Sequence, residues 1–492
     1  MAAPVDSPYH LLAPQVIVAC VALAVILLDL VVKQKALLAA LSVVGLLAAL
    51  LVSVAQWGSE PNTLFGGMIA VDQLALFFNF LVCGVTILVI LASTDYVSRF
   101  SRFQGEYYAL LLLSVIGMMF MAASRDLVAI YVSLETTSIS LYALTAFLKD
   151  AKSSEAGLKY LILGAIASGV LLFGMALVFG VSGQTSLEGI YNAVKETGLD
   201  NPGLLLGIVM LVAGFGFKIA SVPFQMWVPD VYEGAPTPVT AYLSVASKAV
   251  GFMVILRVFL GAFGGVQVAD WAIIFAVLAA ISMTLGNIVA IQQTNIKRML
   301  GYSSIAQAGY LMVGLAAVTR AADVDVAIFG PTGIFYFIAA YAVANLGVFF
   351  AVIAITNKTK SDDIASFSGM GKRAPVLSLA LTLCLISLTG LPPAAGFLAK
   401  FYLFNSAVQH GFAWLVVLGV LNSAISAFYY FRVVKVTWFG TPESEERVPS
   451  GWALRAALFL ACAGVLVLFF FPSDVIDVAK DAAQAVAAAV LP

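Results

Sequence analysis

Charge is what this chain has least of: only 10% of its 492 residues are Asp, Glu, Lys or Arg, whereas 62% are hydrophobic. Soluble domains carry about 25% charged residues, so a water-soluble globular chain is excluded and a polytopic membrane protein is expected. Histidine is nearly absent, with His10 and His410 alone, which leaves little material for a histidine metal site. The four cysteines, Cys20, Cys83, Cys384 and Cys462, stand singly in apolar runs without ligand spacing. That pattern argues against a disulfide framework or a metal cluster and marks them as packing residues. No glycine-rich dinucleotide loop follows a strand and no cysteines cluster, so no redox cofactor is expected on the chain itself. A net charge of −1 with no basic patch gives no footing for nucleic acid. The first eleven residues hold no Lys or Arg, unlike the basic start of a cleavable signal peptide, so the first apolar run is expected to be retained.

What the chain does have is a long series of apolar runs. They fall near 12–32, 36–56, 72–94, 106–123, 127–148, 155–181, 203–229, 238–261, 270–292, 296–318, 326–356, 375–410, 412–436 and 451–471, and each is long enough to cross a ~30 Å hydrocarbon core. The expectation is all-α, with about fourteen transmembrane helices. The tail after Pro472 is too polar at Asp474, Asp477 and Lys480 to span and is expected at the surface. With this count, loops after odd-numbered spans hold fifteen basic residues, and the other loops with both termini hold five. The positive-inside rule then puts both termini outside.

Against this background Lys218 and Lys248 stand out. Lys218 precedes Pro229 by eleven residues and Lys248 follows Pro238 by ten, so each lies roughly 15–16 Å along a helix from the proline-rich turn between them. A lysine at mid-membrane costs about 2.5–3.5 kcal/mol on insertion scales and reads by default as functional. Pro223 interrupts the helix just after Lys218. A second helix-breaking run, Thr389 to Gly396, precedes Lys400, which is deep as well. Glu135 lies near the middle of the fifth span, where a structural ion pair is the competing reading. Lys159 is close enough to a span end to snorkel to the surface. Asp29 and Asp72, at span ends, read as solvated carboxylates.

Interruptions in the seventh and twelfth spans are five spans apart, and an odd offset is the pattern of an inverted repeat with discontinuous helices in matching positions. Burial disfavours a lysine's charged form and a carboxylate partner favours it. A row of such groups can therefore pass protons, with Ser138, Tyr142, Ser244, Ser247, Tyr310 and Tyr336 as candidates to hold connecting waters.

The stretch Lys218–Lys248, with Pro229-Asp-Val-Tyr-Glu-Gly-Ala-Pro-Thr-Pro238 at its centre, resembles the signature of the antiporter-like membrane subunits of respiratory complex I. Asn295-Ile-Lys-Arg-Met-Leu-Gly-Tyr-Ser-Ser-Ile-Ala306 and Leu391-Pro-Pro-Ala-Ala-Gly-Phe-Leu-Ala-Lys400 extend the likeness over most of the chain. The resemblance implies N-terminal helices over 1–105, two inverted five-helix repeats over 106–262 and 263–440, and a last helix with a tail over 441–492. It implies that Glu135 and Lys218 pair in a first half-channel, that Lys248 is a central relay, that Lys400 serves a second half-channel and that Lys159 takes part. Flavin and iron-sulfur clusters would lie in partner subunits. Those partners include neighbouring antiporter-like subunits in a bacterial cell membrane. Gln225 and Gln307 depart from the family, standing where histidine is frequent, and a glutamine cannot carry a proton as a cation. Multisubunit cation/proton antiporters share the lysine motif and are the alternative. A quinone-binding subunit would need a convergent polar pocket that the sequence does not offer, and three mid-membrane lysines count against a bare scaffold.

Overall fold

A computed structural model describes the chain except for residues 1–8, 98–102, 199–200, 265–267, 319–327, 443, 445 and 488–492. The fold is an all-α membrane bundle. Helices α1 (Ala13–Asp29), α2 (Ala36–Ala55), α3 (Gln73–Val97), α4 (Gln104–Ala123), α5 (Leu127–Thr145) and α6 (Ala151–Ser182) come first. A surface helix α7 (Leu187–Thr197), with an apolar stripe, leads to α8 (Pro202–Ile219) and the short α9 (Trp227–Gly234). Then follow α10 (Thr237–Phe263), α11 (Val268–Ile291), α12 (Ile296–Ala316) and α13 (Phe329–Thr359). The remaining long helices are α14 (Pro375–Thr389), α15 (Ala395–Gln409), α16 (Ala413–Phe439), α17 (Trp452–Phe470) and α18 (Pro472–Ala487).

Helix starts follow their capping residues. The side chain of Asp126 accepts from the Val128 and Ala129 amides at α5, Asp150 from Ser153 at α6, and Asn295 from Lys297 and Arg298 at α12, each satisfying donors a helix cannot. Among the described residues, twelve helices are long and apolar enough to cross a membrane. The expected segments outside these twelve are α12 and the broken pair α14–α15. The enclosed centre is formed by α10 and α13, whose apolar windows are 94% and 89% buried.

Both expected helix breaks are present. Helix α8 stops where Ala220 turns left-handed (φ 61°), and α14 where Gly390 does (φ 88°). The turn after the first break falls within the expected stretch between Pro229 and Pro238, and its residues are buried. Pro229 sits in the first turn of α9, where a missing amide costs nothing, and the turn falls at Ala235–Pro236.

Several expectations need correction. Asp72 is 2% exposed rather than solvated: Arg257 donates to both its carboxylate oxygens (2.9 and 3.0 Å), and Arg125 lies 3.3 Å away. Asp29 is paired with Lys35 at 2.7 Å and mostly covered. The C-terminal α18 lies at the surface with its alanine face packed against α3 and α13. A two-stranded ribbon, β1 (Asn62–Leu64) antiparallel to β2 (Ile69–Val71), was not anticipated. Of the basic residues used for orientation, Arg99, Arg102 and Arg320 lie outside the described residues.

The Asp72–Arg257 pair carries a stability prediction. Removing one partner of a buried pair costs about 3–5 kcal/mol when the other charge is left uncompensated, and here Arg125, 3.3 Å from Asp72, keeps part of the compensation. Arg257→Met should still lower the melting midpoint of the protein in detergent. An unchanged midpoint would show that the pair is energetically idle.

Candidate functional site

The two helix breaks and a wound-out turn of α10 place Glu135, Lys218, Lys248 and Lys400 at mostly covered positions inside the bundle. On α5, Glu135 accepts a hydrogen bond from Ser168 of α6 (2.5 Å) and lies 3.9 Å from the ammonium of Lys218. Lys218 occupies the last turn of α8, where the helix dipole favours a cation, and donates to Ser138 of α5 at 2.8 Å. The serine thus sits beside the pair and tethers its cation. Lys218, Ser138 and Thr137 line a cavity of about 30 Å³ that extends to Ser247 and Gly251 of α10. That is room for one or two waters.

Ser247 closes a π-helical turn, Leu243–Ser247, a feature found mostly at functional sites. Lys248, next in the chain and 2% exposed, donates to the Ser304 carbonyl at 2.9 Å and also meets the Ser304 hydroxyl. Tyr341 of α13 donates to that hydroxyl at 3.1 Å, and Tyr232 lies 3.2 Å from it. Among the described residues no carboxylate pairs with Lys248.

Tyr341 and Gln307 line a second, smaller cavity that ends on Lys400. The break after α14 leaves carbonyls without helix partners, and Lys400 fills that role, donating to Thr389 O (2.9 Å) and Leu388 O (3.3 Å). Its ammonium also reaches Ser423 (3.2 Å) and stands 4.2 Å over the Tyr310 ring. Gln307 donates to the same Leu388 carbonyl at 2.9 Å. It therefore bridges α12 to the break that holds Lys400, although it cannot itself take up a proton. Gly390 is required twice over: its φ is left-handed, and a Cβ there would come within 2.8 Å of the Lys400 side chain.

Lys159 stands apart from these residues. It is 44% exposed and pairs with Glu155 (2.8 Å) and Asp230 (3.0 Å) at the surface end of α6. Arg298 meets Asp230 (2.6 Å) and Glu233 (3.2 Å), and Lys152 meets Glu233 (3.1 Å). Burial alone would raise Asp230, but Arg298 and Lys159 outweigh it and hold that carboxyl below its ordinary value. Of the candidate water-holding residues, Ser244 instead accepts from Asn345 (2.6 Å), and Tyr336 donates to the Leu468 carbonyl.

The sequence reading missed a polar cluster beside Lys400. Asn287 of α11 donates to Tyr310 (3.2 Å) and to Asn422 of α16 (3.3 Å), and accepts from Tyr429 (3.0 Å). Two asparagines inside apolar spans were the available signal. Tertiary packing also brings Cys384 and Cys462 to an Sγ–Sγ distance of 3.9 Å, though both thiols are free. Among the described residues no group of three or more His, Cys, Asp or Glu could hold a metal ion.

Discontinuous helices flanking intramembrane charges are the construction of ion-translocating membrane bundles, and that is the class this fold and site define. Residues 124–426 match the NADH:quinone oxidoreductase/Mrp antiporter transmembrane family. The chain is 47% identical over 482 residues to the NADH-quinone oxidoreductase subunit N of Dehalococcoides mccartyi, covering 96% of this chain and 99% of that one. A chain of respiratory complex I from Thermus thermophilus with bound Aureothin superposes with a TM-score of 0.79 at 31% identity, covering 94% of this chain and 98% of that one. A chain of the Mrp complex from Dietzia sp. shares the fold alone, with a TM-score of 0.86 at 19% identity over 98% of this chain and 99% of that one. The chain belongs to the NADH:quinone oxidoreductase/Mrp antiporter transmembrane family.

Proposed function

We propose that this chain is the proton-translocating N subunit of a bacterial NADH-quinone oxidoreductase, and that Glu135, Lys218, Lys248 and Lys400 carry its protons. The reading rests on the side-chain line from Glu135 to Lys400, joined by serine and tyrosine hydroxyls and two cavities. The ammonium of Lys248 has no carboxylate partner among the described residues, so its charge responds to neighbouring lysines. Lys159 acts at the surface rather than in the line. Electron transfer from NADH to quinone belongs to partner subunits, where flavin and iron-sulfur clusters are expected.

Counting α12 and each broken pair as one span gives fourteen, with α4–α10 and α11–α16 as two inverted five-span units. Contacts support the sidedness. Lys152, Glu233, Arg298, Lys297 and Asp362 meet on one face, and Ile69 with Ser124 and Asp126 with Ser186 pair on the other. The first face carries most of the basic loops and is assigned to the cytoplasm, which leaves both termini outside.

The test is proton pumping in membrane vesicles, read against NADH oxidation by the assembled complex. A complex that pumps normally without this chain overturns the reading. Co-purification with antiporter subunits alone, and a Na⁺-dependent proton flux, would favour the multisubunit antiporter instead. A second prediction concerns redox chemistry. The isolated chain should oxidise neither NADH nor quinol, and bound flavin in the purified chain would contradict this.

A further inference from the structure

On the basic-loop face, Lys152, Glu155, Lys159, Asp230 and Glu233 surround an open basin of about 140 Å³. Its walls are the first turns of α6 and the end of α9. One turn further in on the same two helices, Tyr160 and Trp227 stack face to face, with ring centres 4.5 Å apart and planes within 11°. Trp227 is 1% exposed and its indole N–H donates to the Phe217 carbonyl (3.0 Å), next to Lys218 in the chain. Tyr160 also packs edge-on against Tyr142 and lines the inner cavity that holds Lys218, Ser138 and Thr137. The aromatic pair thus adjoins in the chain the residues that line the charged, open basin and, through Tyr160, forms part of the wall of the buried lysine cavity.

We propose that this basin is the port through which protons reach Lys218, and that the Tyr160–Trp227 stack is the barrier that closes it. The inference rests on the proton-carrying reading of Lys218.

The geometry suits a port in three respects. The basin carries three cationic and three anionic side chains when Arg298 is included, so it is hydrated without trapping ions of one sign. Asp230 stays ionised well below neutral pH because Arg298 and Lys159 face it, so it fastens α9 rather than exchanging protons. Helix α9 is severed from α8 by the break at Ala220, and at its surface end these ion pairs hold it to α6 and α12. A small shift of α9 would unstack Trp227 without disturbing either long helix. Aromatic faces offer no hydrogen-bond chain for water, so a closed stack interrupts proton passage.

The test is whether an aqueous cation can reach position 137 from the basin side. Thr137→Cys places a thiol in the inner cavity of the assembled complex. Inside-out vesicles are treated with Ag⁺, then denatured and alkylated, and protection is read by mass spectrometry on the peptide that carries the introduced thiol. With the stack intact, protection should be slow. Trp227→Ala should speed it at least tenfold, Tyr160→Leu should do likewise, and Tyr160→Phe, which keeps the ring, should change it little. Trp271→Ala, at a buried tryptophan on α11, is the control expected to leave the rate unchanged. If Trp227→Ala fails to assemble, the Tyr160 pair carries the comparison. Fast protection with the stack intact, or no acceleration on opening it, overturns the proposal. Proton pumping by Lys218→Met, measured separately, decides whether that lysine carries protons, so the two readings fail independently.

Discussion

Lys400→Ala should abolish most proton pumping, by about tenfold or more, while the complex still assembles and oxidises NADH. A tenfold loss corresponds to about 1.4 kcal/mol of barrier, a small demand on a residue that contacts the break, Ser423 and the Tyr310 ring at once. Assembly should survive because the loss strands only the Thr389 carbonyl, at about 1–3 kcal/mol, while Leu388 keeps its bond from Gln307, and a water can enter the vacated space. Lys400→Arg separates charge from proton exchange. Its guanidinium can satisfy the same carbonyls but does not give up a proton, so the variant should fold normally and still fail to pump. Measured as the pH gradient formed per NADH oxidised, a wild-type ratio in either variant would remove Lys400 from the path.

Glu135 and Lys218 should behave as one unit. At 3.9 Å their attraction is about 4 kcal/mol at an effective dielectric of 20, so each stabilises the other's charged form. Glu135→Gln and Lys218→Met should each remove much of the pumping, and the double variant should be little worse than the worse single one, since the second change acts on a pair already broken. Ser138 gives a milder probe. Ser138→Ala removes the Lys218 tether and should reduce pumping less than either charge change. If the two charge-removing losses simply add, Glu135 and Lys218 work independently and a paired-charge switch is the wrong mechanism.

Most residues of the candidate site were picked out in the chain. Lys218, Lys248, Lys400 and Glu135 were found because an ionisable side chain in a helix-length apolar run is costly wherever the helix packs. Lys159 was ambiguous for the same reason in reverse, since near a span end a long side chain can reach water. The structure gives it Glu155 and Asp230 as partners at the surface. Asp72 was misread because its partner, Arg257, lies 185 positions away, and proximity of that kind leaves no local signal. The asparagine cluster at Asn287 and Asn422 went unseen because neutral amides are cheap enough to pass as packing.

The sequence by itself determined that this is a many-helix membrane chain, that two of its helices are interrupted, and that Glu135, Lys218, Lys248 and Lys400 stand inside apolar runs. These follow from local costs: solvating an ion in hydrocarbon, losing an amide at proline, reversing φ at glycine. Tertiary structure alone decided how those charges connect. Ser304 stands between Lys248 and Tyr341, Gln307 and Lys400 share the Leu388 carbonyl, and Trp227 donates to the carbonyl of Phe217, next to Lys218 in the chain. The hydrogen bonds among these residues depend on the packing of α10, α12, α13 and α14, and a hydrogen bond between helices is set by their rotation and depth, which apolar lipid-facing sequences leave unspecified.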